Sequence, residues 1–395
     1  MSVERKLEVL SYVAVKKFEQ EQYVLFEQEE LEGYIGEFLG IERRNSQGVL
    51  RAIASQHGLL IERAYKVWSF SHLTFQEYLV AKWFYDQGNW DKLVIQITKR
   101  YWREIFLLAS ELLADADFLL TSIKYQTDRL LAGDNKLQQF LEWLGDKAKL
   151  INNTYKPTSV RAFYFEISLT VAIAPGKASN DTLVDIGENG RLILFLEGAF
   201  SLNLSRACKN GIQKGGNGNS QLLDYSLVYA LVLSFAFNHN YTHPKRLHDE
   251  IYKGMNYRLE QAFYNAKDIE IKKLILQLRT QLILELKTQL PIQDSQSLTS
   301  GLNNDDKNEP IWKEKCQRWT YHLRNMLIEH CNVGHDWQFT NMQIQNLRQY
   351  YHASVTLVQC LNSCNISDKL REYIEETLLF PIAEIEKCNY EKQIE

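Results

Sequence analysis

The chain has 395 residues, with 45 Lys and Arg against 49 Asp and Glu and a formal net charge of −4. That balance argues against a general nucleic-acid binder, which usually carries a basic excess. Hydrophobic content of 45% and charged content of 24% are those of an ordinary globular protein, and the length predicts two to three domains.

Apolar residues at Leu7, Leu10, Val13, Ala14 and Phe18 recur at helical spacing and predict a helix over 3–19. Tyr23 to Phe26 is a short β-favouring run. Leu31, Tyr34, Ile35, Phe38 and Leu39 mark a second helix. Ser46 is a candidate cap for a third, with Val49, Leu50, Ile53 and Ala54 inward and Gly58 ending it. Leu59 to Ile61 and Val67 to Phe70 read as strands joined by a turn around Ala64 to Lys66. Helix, strand, helix, helix, hairpin is the order of a winged helix.

The segment Trp68 to Tyr85, WSFSHLTFQEYLVAKWFY, carries the strongest local signal. An aromatic run meets His72, then a Thr-x-x-Glu pattern at Thr74 and Glu77, then an apolar helix face. The pattern predicts a capping box and a helix starting at Thr74. That leaves His72 in a turn at a helix N-terminus, where backbone N–H groups and the helix dipole favour anions. Two readings stay open on the residues alone. His72 either finishes a turn or contacts a phosphate, and a charged imidazole sits poorly beside the positive end of a dipole.

From residue 74 onward helical patterns dominate, at 74–87, 90–98, 101–113, 116–131, 134–149, 158–174, 182–208, 221–238, 244–265 and 268–289. Aromatics such as Trp102, Phe106 and Phe118 recur at helical spacing, as core packing requires. Tyr225 to Phe237 is the longest apolar stretch, shorter than the roughly 20 residues of a membrane span, and reads as a buried helix. Residues 210–220, NGIQKGGNGNS, predict a flexible loop. Residues 291–310 are polar and bounded by Pro, and predict a flexible linker. Further helices are predicted at 311–332, 339–363 and 367–388, which pack back on the array or form a small domain. The predicted class is mainly α: an N-terminal winged helix followed by an irregular α-helical repeat-like array. The predicted domains are 1–85, 86–290, the linker 291–310, and a C-terminal helical block 311–395.

Other constellations carry little chemistry. Cys316, His322, His330, Cys331, His335, His352, Cys360, Cys364 and Cys388 concentrate near the C-terminus, but without the paired spacing of a zinc site. No metal ligand set and no catalytic residue is expected. Six Cys in so long a chain, and an N-terminus MSVERKLEVL without a signal-peptide core, predict a cytoplasmic protein. His239, His243 and His248 share a polar helix connection. Gly176-Lys177-Ala178 is the nearest approach to a phosphate loop, but Val171 replaces its first Gly and Ala178 its hydroxyl residue. Arg43, Arg44 and Arg51 lie where a winged helix reads DNA, yet Glu29, Glu30, Glu32 and Glu37 crowd the adjacent helix. Nucleic acid is therefore not an expected partner.

FSHLTFQEYL, residues 70–79, resembles the motif that closes the winged-helix domain of NACHT-type signalling NTPases, the group that includes the NOD-like receptors and many bacterial relatives. VLRAIASQHGLLIERA at 49–64 resembles the helix and wing strand before that motif, notably in cyanobacterial members. ELEGYIGEFLG at 30–40 and YWREIFLLASELLADADFLL at 101–120 resemble the flanking helices. The resemblance implies that His72 contacts the β-phosphate of ADP and helps hold a closed resting state. It implies an upstream NACHT ATPase domain as partner, with ADP or ATP and Mg bound by the parent protein and no cofactor in this chain. The chain then reads as the C-terminal part of such a protein, with Met1 an artificial start or the start of a split gene. The helices then sense a trigger, expected to be a protein, and activation produces a homo-oligomer in signal transduction and antiviral defence. The alternative is a helical-repeat scaffold that binds a partner without a nucleotide switch.

Overall fold

A computed structural model of the chain describes residues 2–20, 22–150, 157–173, scattered positions between 260 and 335, and 337–387. The predicted loop 210–220, the linker 291–310 and the helices at 182–208, 221–238, 244–265 and 311–332 lie wholly or largely outside these described residues. The chain divides into two compact units, Met1–Leu130 with Gln349–Ile374, and Leu131–Arg348 with Glu375–Glu395.

The first unit opens with helix α1 (Val3–Phe18), where the Arg5 N–H donates to the Ser2 Oγ at 3.2 Å and so satisfies one free donor of the first turn. Its face of Val9, Leu10, Val13, Ala14 and Phe18 is buried. Strand β1 (Phe26–Glu27) leads into α2 (Gln28–Leu39), and α3 (Arg43–His57) follows. Both helices end on a left-handed glycine, Gly40 at φ 65° and Gly58 at φ 61°, a backbone conformation that carries no steric cost without a Cβ. The expected cap at Ser46 is corrected. The N–H groups of Asn45 and Ser46 already donate to the Glu42 carbonyl, at 2.9 and 3.3 Å, so α3 starts after Glu42 and Ser46 is buried inside it.

Strands β2 (Leu60–Ala64) and β3 (Val67–Phe70) form the wing, and β3 is the centre of a three-stranded antiparallel sheet of order β1-β3-β2. Phe26 pairs with Trp68, and Leu60 with Phe70. Between Glu62 and Ala64 the register shifts, leaving Arg63 as an extra residue in β2. The turn closes with Lys66 at φ 61°, its N–H donating to the Glu62 carboxylate at 2.8 Å.

Helix α4 (Leu73–Gln87) buries Leu79, Val80, Ala81 and Phe84 between α1 and α6 (Arg103–Leu112). Trp102 is the aromatic centre, with ring centroids 5.2 Å from Phe18 and 6.1 Å from Phe84. The helix expected at 90–98 is shorter: α5 spans Trp90–Val94 and turns follow. Val94, Ile95, Ile97 and Thr98 are β-branched and propagate a helix poorly. Helix α7 (Asp117–Ala132) comes next.

Residues 349–374 complete this unit with most of α10 (Asn341–Ser363) and the start of α11 (Asp368–Thr377). Arg103 Nε donates to the Gln359 side chain at 2.5 Å. The Asn365 amide donates to the Ala114 carbonyl at 2.8 Å, and the Ser367 N–H and hydroxyl donate to the Asp117 carboxylate at 2.8 and 2.6 Å.

The second unit includes α8 (Asn135–Leu150) and α9 (Pro157–Ile173), packed on each other. An aromatic cluster of Phe140, Trp143, Tyr164, Phe165, Trp337 and Phe339 lies against them. The single helix expected at 367–388 is also corrected. α11 ends at Thr377, Leu379 takes φ 62°, and a helical turn resumes at 382–387. Pro381 has no N–H to continue the ladder. The fully buried Arg161 replaces the missing donors, giving hydrogen bonds to the carbonyls of Glu376 at 2.7 Å and Leu378 at 2.9 Å.

The chain is thus mainly α, a winged-helix domain followed by a helical region. Among the described residues no helix is long and apolar enough to cross a membrane.

Candidate functional site

The junction between β3 and α4 is built by burial on one side. Trp68, Ser69 and Phe70 are buried, which pins the strand, and the Ser71 N–H donates to the Leu59 carbonyl at 2.8 Å as the last rung of the wing. His72 follows as the N-cap of α4 in extended backbone, φ −134° and ψ 144°. Its carbonyl accepts from the Phe75 N–H at 3.2 Å. The imidazole is exposed, makes no capping hydrogen bond, and meets the Phe75 ring edge-on at 5.7 Å.

The expected capping box does not form. α4 starts at Leu73, so Thr74 is the second helical residue rather than the cap. Glu77 turns inward instead of back toward the first turn. Burial, and then the Glu104 carboxylate on α6, raise its carboxyl above the usual value of 4.5. The first turn of α4 holds no acidic residue, so nothing in that turn offsets the positive end of its dipole.

Around His72 lie exposed apolar side chains: Leu73, Phe75 and Tyr78 are each about 40% exposed, at 39%, 43% and 42%. Arg63 reaches the same junction from the wing. Its Nε donates to the Ser69 hydroxyl at 2.9 Å and its Nη2 to the Ser71 carbonyl at 3.1 Å. No signal in the sequence marked Arg63: the strand expected there ends at Ile61, whereas β2 runs on to Ala64 through the bulge.

Helix α3, the one that would read DNA in a DNA-binding winged helix, is electrostatically quenched at its start. Arg43 pairs with Glu29 at 3.1 Å and with Glu32 at 3.2 Å, and Arg44 with Glu42 at 2.8 Å. Arg51 is exposed on the same helix. Of the Cys and His near the C-terminus, Cys316, His322, His330, Cys331 and Cys388 lie outside the described residues, as do His239, His243, His248 and Gly176-Lys177-Ala178. Cys360 and Cys364 are free thiols; burial pushes Cys360 up to about 12 and raises Cys364 as well. Burial, then the Lys147 ammonium, lowers His335. Among the described residues no three His, Cys, Asp or Glu converge as metal ligands do.

Residues 2–84 match the family model of the winged helix-turn-helix domain C-terminal to NACHT, and residues 278–381 match that of NACHT C-terminal helical domain 2. The chain carries the C-terminal domains of a NACHT protein. Comparison with curated proteins and with solved structures found no match. The junction at His72 lies inside the NACHT winged helix, and the second match runs through residues 291–310. Both matched domains belong C-terminal to a NACHT domain, which implies an upstream NACHT domain in the same protein.

Proposed function

We propose that this region regulates the NACHT NTPase, with the winged helix closing over bound ADP through His72. One observation carries the reading: His72 caps α4 with its ring exposed and free of capping duty, inside the domain that follows NACHT. A capping Ser or Asp would spend its side chain on the helix; an imidazole in that place is left to meet a group outside the domain. The exposed Leu73, Phe75 and Tyr78 supply apolar surface beside it for a neighbouring domain. The helices that follow take the part of the trigger sensor. Trigger binding shifts a two-state equilibrium from a closed, ADP-bound form toward an open, oligomerising one, in a role such as defence signalling.

The test is ADP release from the parent protein containing its NACHT domain. His72→Ala removes one charge-assisted contact worth roughly 1.5–3 kcal/mol, so release should accelerate by about one to two decades. A folded variant that retains ADP as wild type does excludes His72 as the sensor. The reading also assigns trigger response to the region 86–290, probed at exposed residues of its described helices. Substitutions there should abolish the response and leave ADP retention unchanged.

A further inference from the structure

The bulge in β2 gives Arg63 a defined task at the junction that delivers His72. Arg63 is the residue the register skips, and a bulge re-aims the side chain it carries. Its guanidinium spans two points of the outgoing strand, the Ser69 hydroxyl and the Ser71 carbonyl. The Ser69 hydroxyl in turn donates to the Phe70 carbonyl at 2.8 Å. With the Ser71 N–H held by Leu59, the peptides on both sides of Ser71 are tied.

The Ser71 carbonyl and the His72 N–H belong to one planar peptide unit. Holding that carbonyl therefore orients the His72 N–Cα bond from which the imidazole is carried. Nothing else described at this junction bonds to the Ser71 carbonyl. The arrangement also uses the geometry of Arg: Nε and Nη2 donate along one edge of a planar fork, which a Lys ammonium does not reproduce.

We propose that Arg63 is the positioning residue of His72, presenting the imidazole outward by clamping the Ser71 peptide. Its role in nucleotide retention rests on the function proposed above, whereas its control of the His72 conformation does not.

Two measurements separate these. In this chain, the imidazole resonances of His72 are followed by NMR in wild type, Arg63→Ala and Arg63→Lys, with thermal unfolding as the check on folding. Arg63→Ala should shift and broaden the His72 ring signals and those of Phe75 while the unfolding transition persists, and Arg63→Lys should fail to restore them. His72 signals unchanged in folded Arg63→Ala overturn the proposal. In the parent protein, ADP release is measured for His72→Ala, Arg63→Ala and the double variant. Positioning predicts that Arg63→Ala speeds release by about tenfold, one hydrogen bond to a charged group. It also predicts that the double variant releases no faster than His72→Ala. Additive effects assign Arg63 a separate structural role and overturn the proposal. If His72→Ala leaves release unchanged, the sensor reading fails, and the NMR result alone decides whether Arg63 orients the ring.

Discussion

Glu77 shows how one side chain can be read correctly as helical and wrongly as a cap. Thr74 and Glu77 have the spacing of a capping box, but the box requires Thr74 to take the extended cap conformation, and the strand delivers that conformation to His72. Glu77 then lies two positions further into the helix, half-buried and close enough to α6 to feel Glu104. Its carboxyl is raised by burial and next by Glu104, which is itself ion-paired with Arg103. An acid raised in the folded state binds its proton more tightly there than in the unfolded chain. Folding is therefore favoured while Glu77 is protonated, and that contribution fades as pH climbs from about 4.5 through the raised folded value. Glu77→Gln should raise the unfolding temperature at pH 7, with the gain shrinking toward pH 4. Equal destabilisation at both pH values would mean that the carboxylate makes a native interaction that Gln cannot replace. Lys17 was unreadable for a related reason. It falls on the buried side of α1, and only the fold reveals that Glu30, 2.9 Å away, receives it. Burial alone would raise Glu30; hydrogen bonds from Lys17 and Tyr34 outweigh it and hold the carboxyl below its usual value.

At the scale of elements, the winged helix was legible because each piece announces itself locally. The apolar period marks α1 to α3, Gly58 ends α3 in the left-handed region, and alternating aromatics mark β3. Boundaries failed where local breakers such as Pro381 and the β-branched run 94–98 act, and where a partner takes up the freed backbone groups. At Leu379 both act: Pro381 lacks the N–H of a continuing helix, and Arg161 on α9 donates to the carbonyls of Glu376 and Leu378. The turn between α2 and α3 is another close fit. The Ile41 N–H donates to the Gly36 carbonyl at 3.1 Å, and a Cβ at Gly36 would lie 2.9 Å from the Ile41 carbonyl oxygen and 3.1 Å from the Ser46 hydroxyl. Backbone cannot yield as a flexible side chain does. Gly36→Ala should cost about 1–3 kcal/mol, the range of overpacking, despite the better helix propensity of Ala. Gly33→Ala is the control, because nothing lies within 4 Å of its added Cβ. Chemical denaturation of the two variants should separate them. Equal stability would show that α2 and α3 shift apart freely.

At the scale of the molecule, chain order and compactness part company. The sequence leaves open whether the helices in 311–395 pack back on the array or form a small domain, and Gln349–Ile374 share a compact unit with Met1–Leu130. The hydrogen bonds that seat them, Ser367 on Asp117 and Asn365 on Ala114, join residues about 250 apart in sequence, separations of 250 and 251. No local periodicity encodes such a partner, because an amphipathic helix specifies that a face is buried and not what buries it. Cys360, fully buried near Ser110 on α6, reads in sequence only as one thiol of a loose cluster. A shared unit should open as one. Leu361 is 2% exposed, and Leu361→Ala should cost about 2–5 kcal/mol through the cavity it leaves. Hydrogen exchange of the variant should then show lost protection not only across 349–374 but also across 103–117, with the amides of α8 changing less. Faster exchange confined to 349–374 would mean that these helices unfold independently of the winged-helix unit.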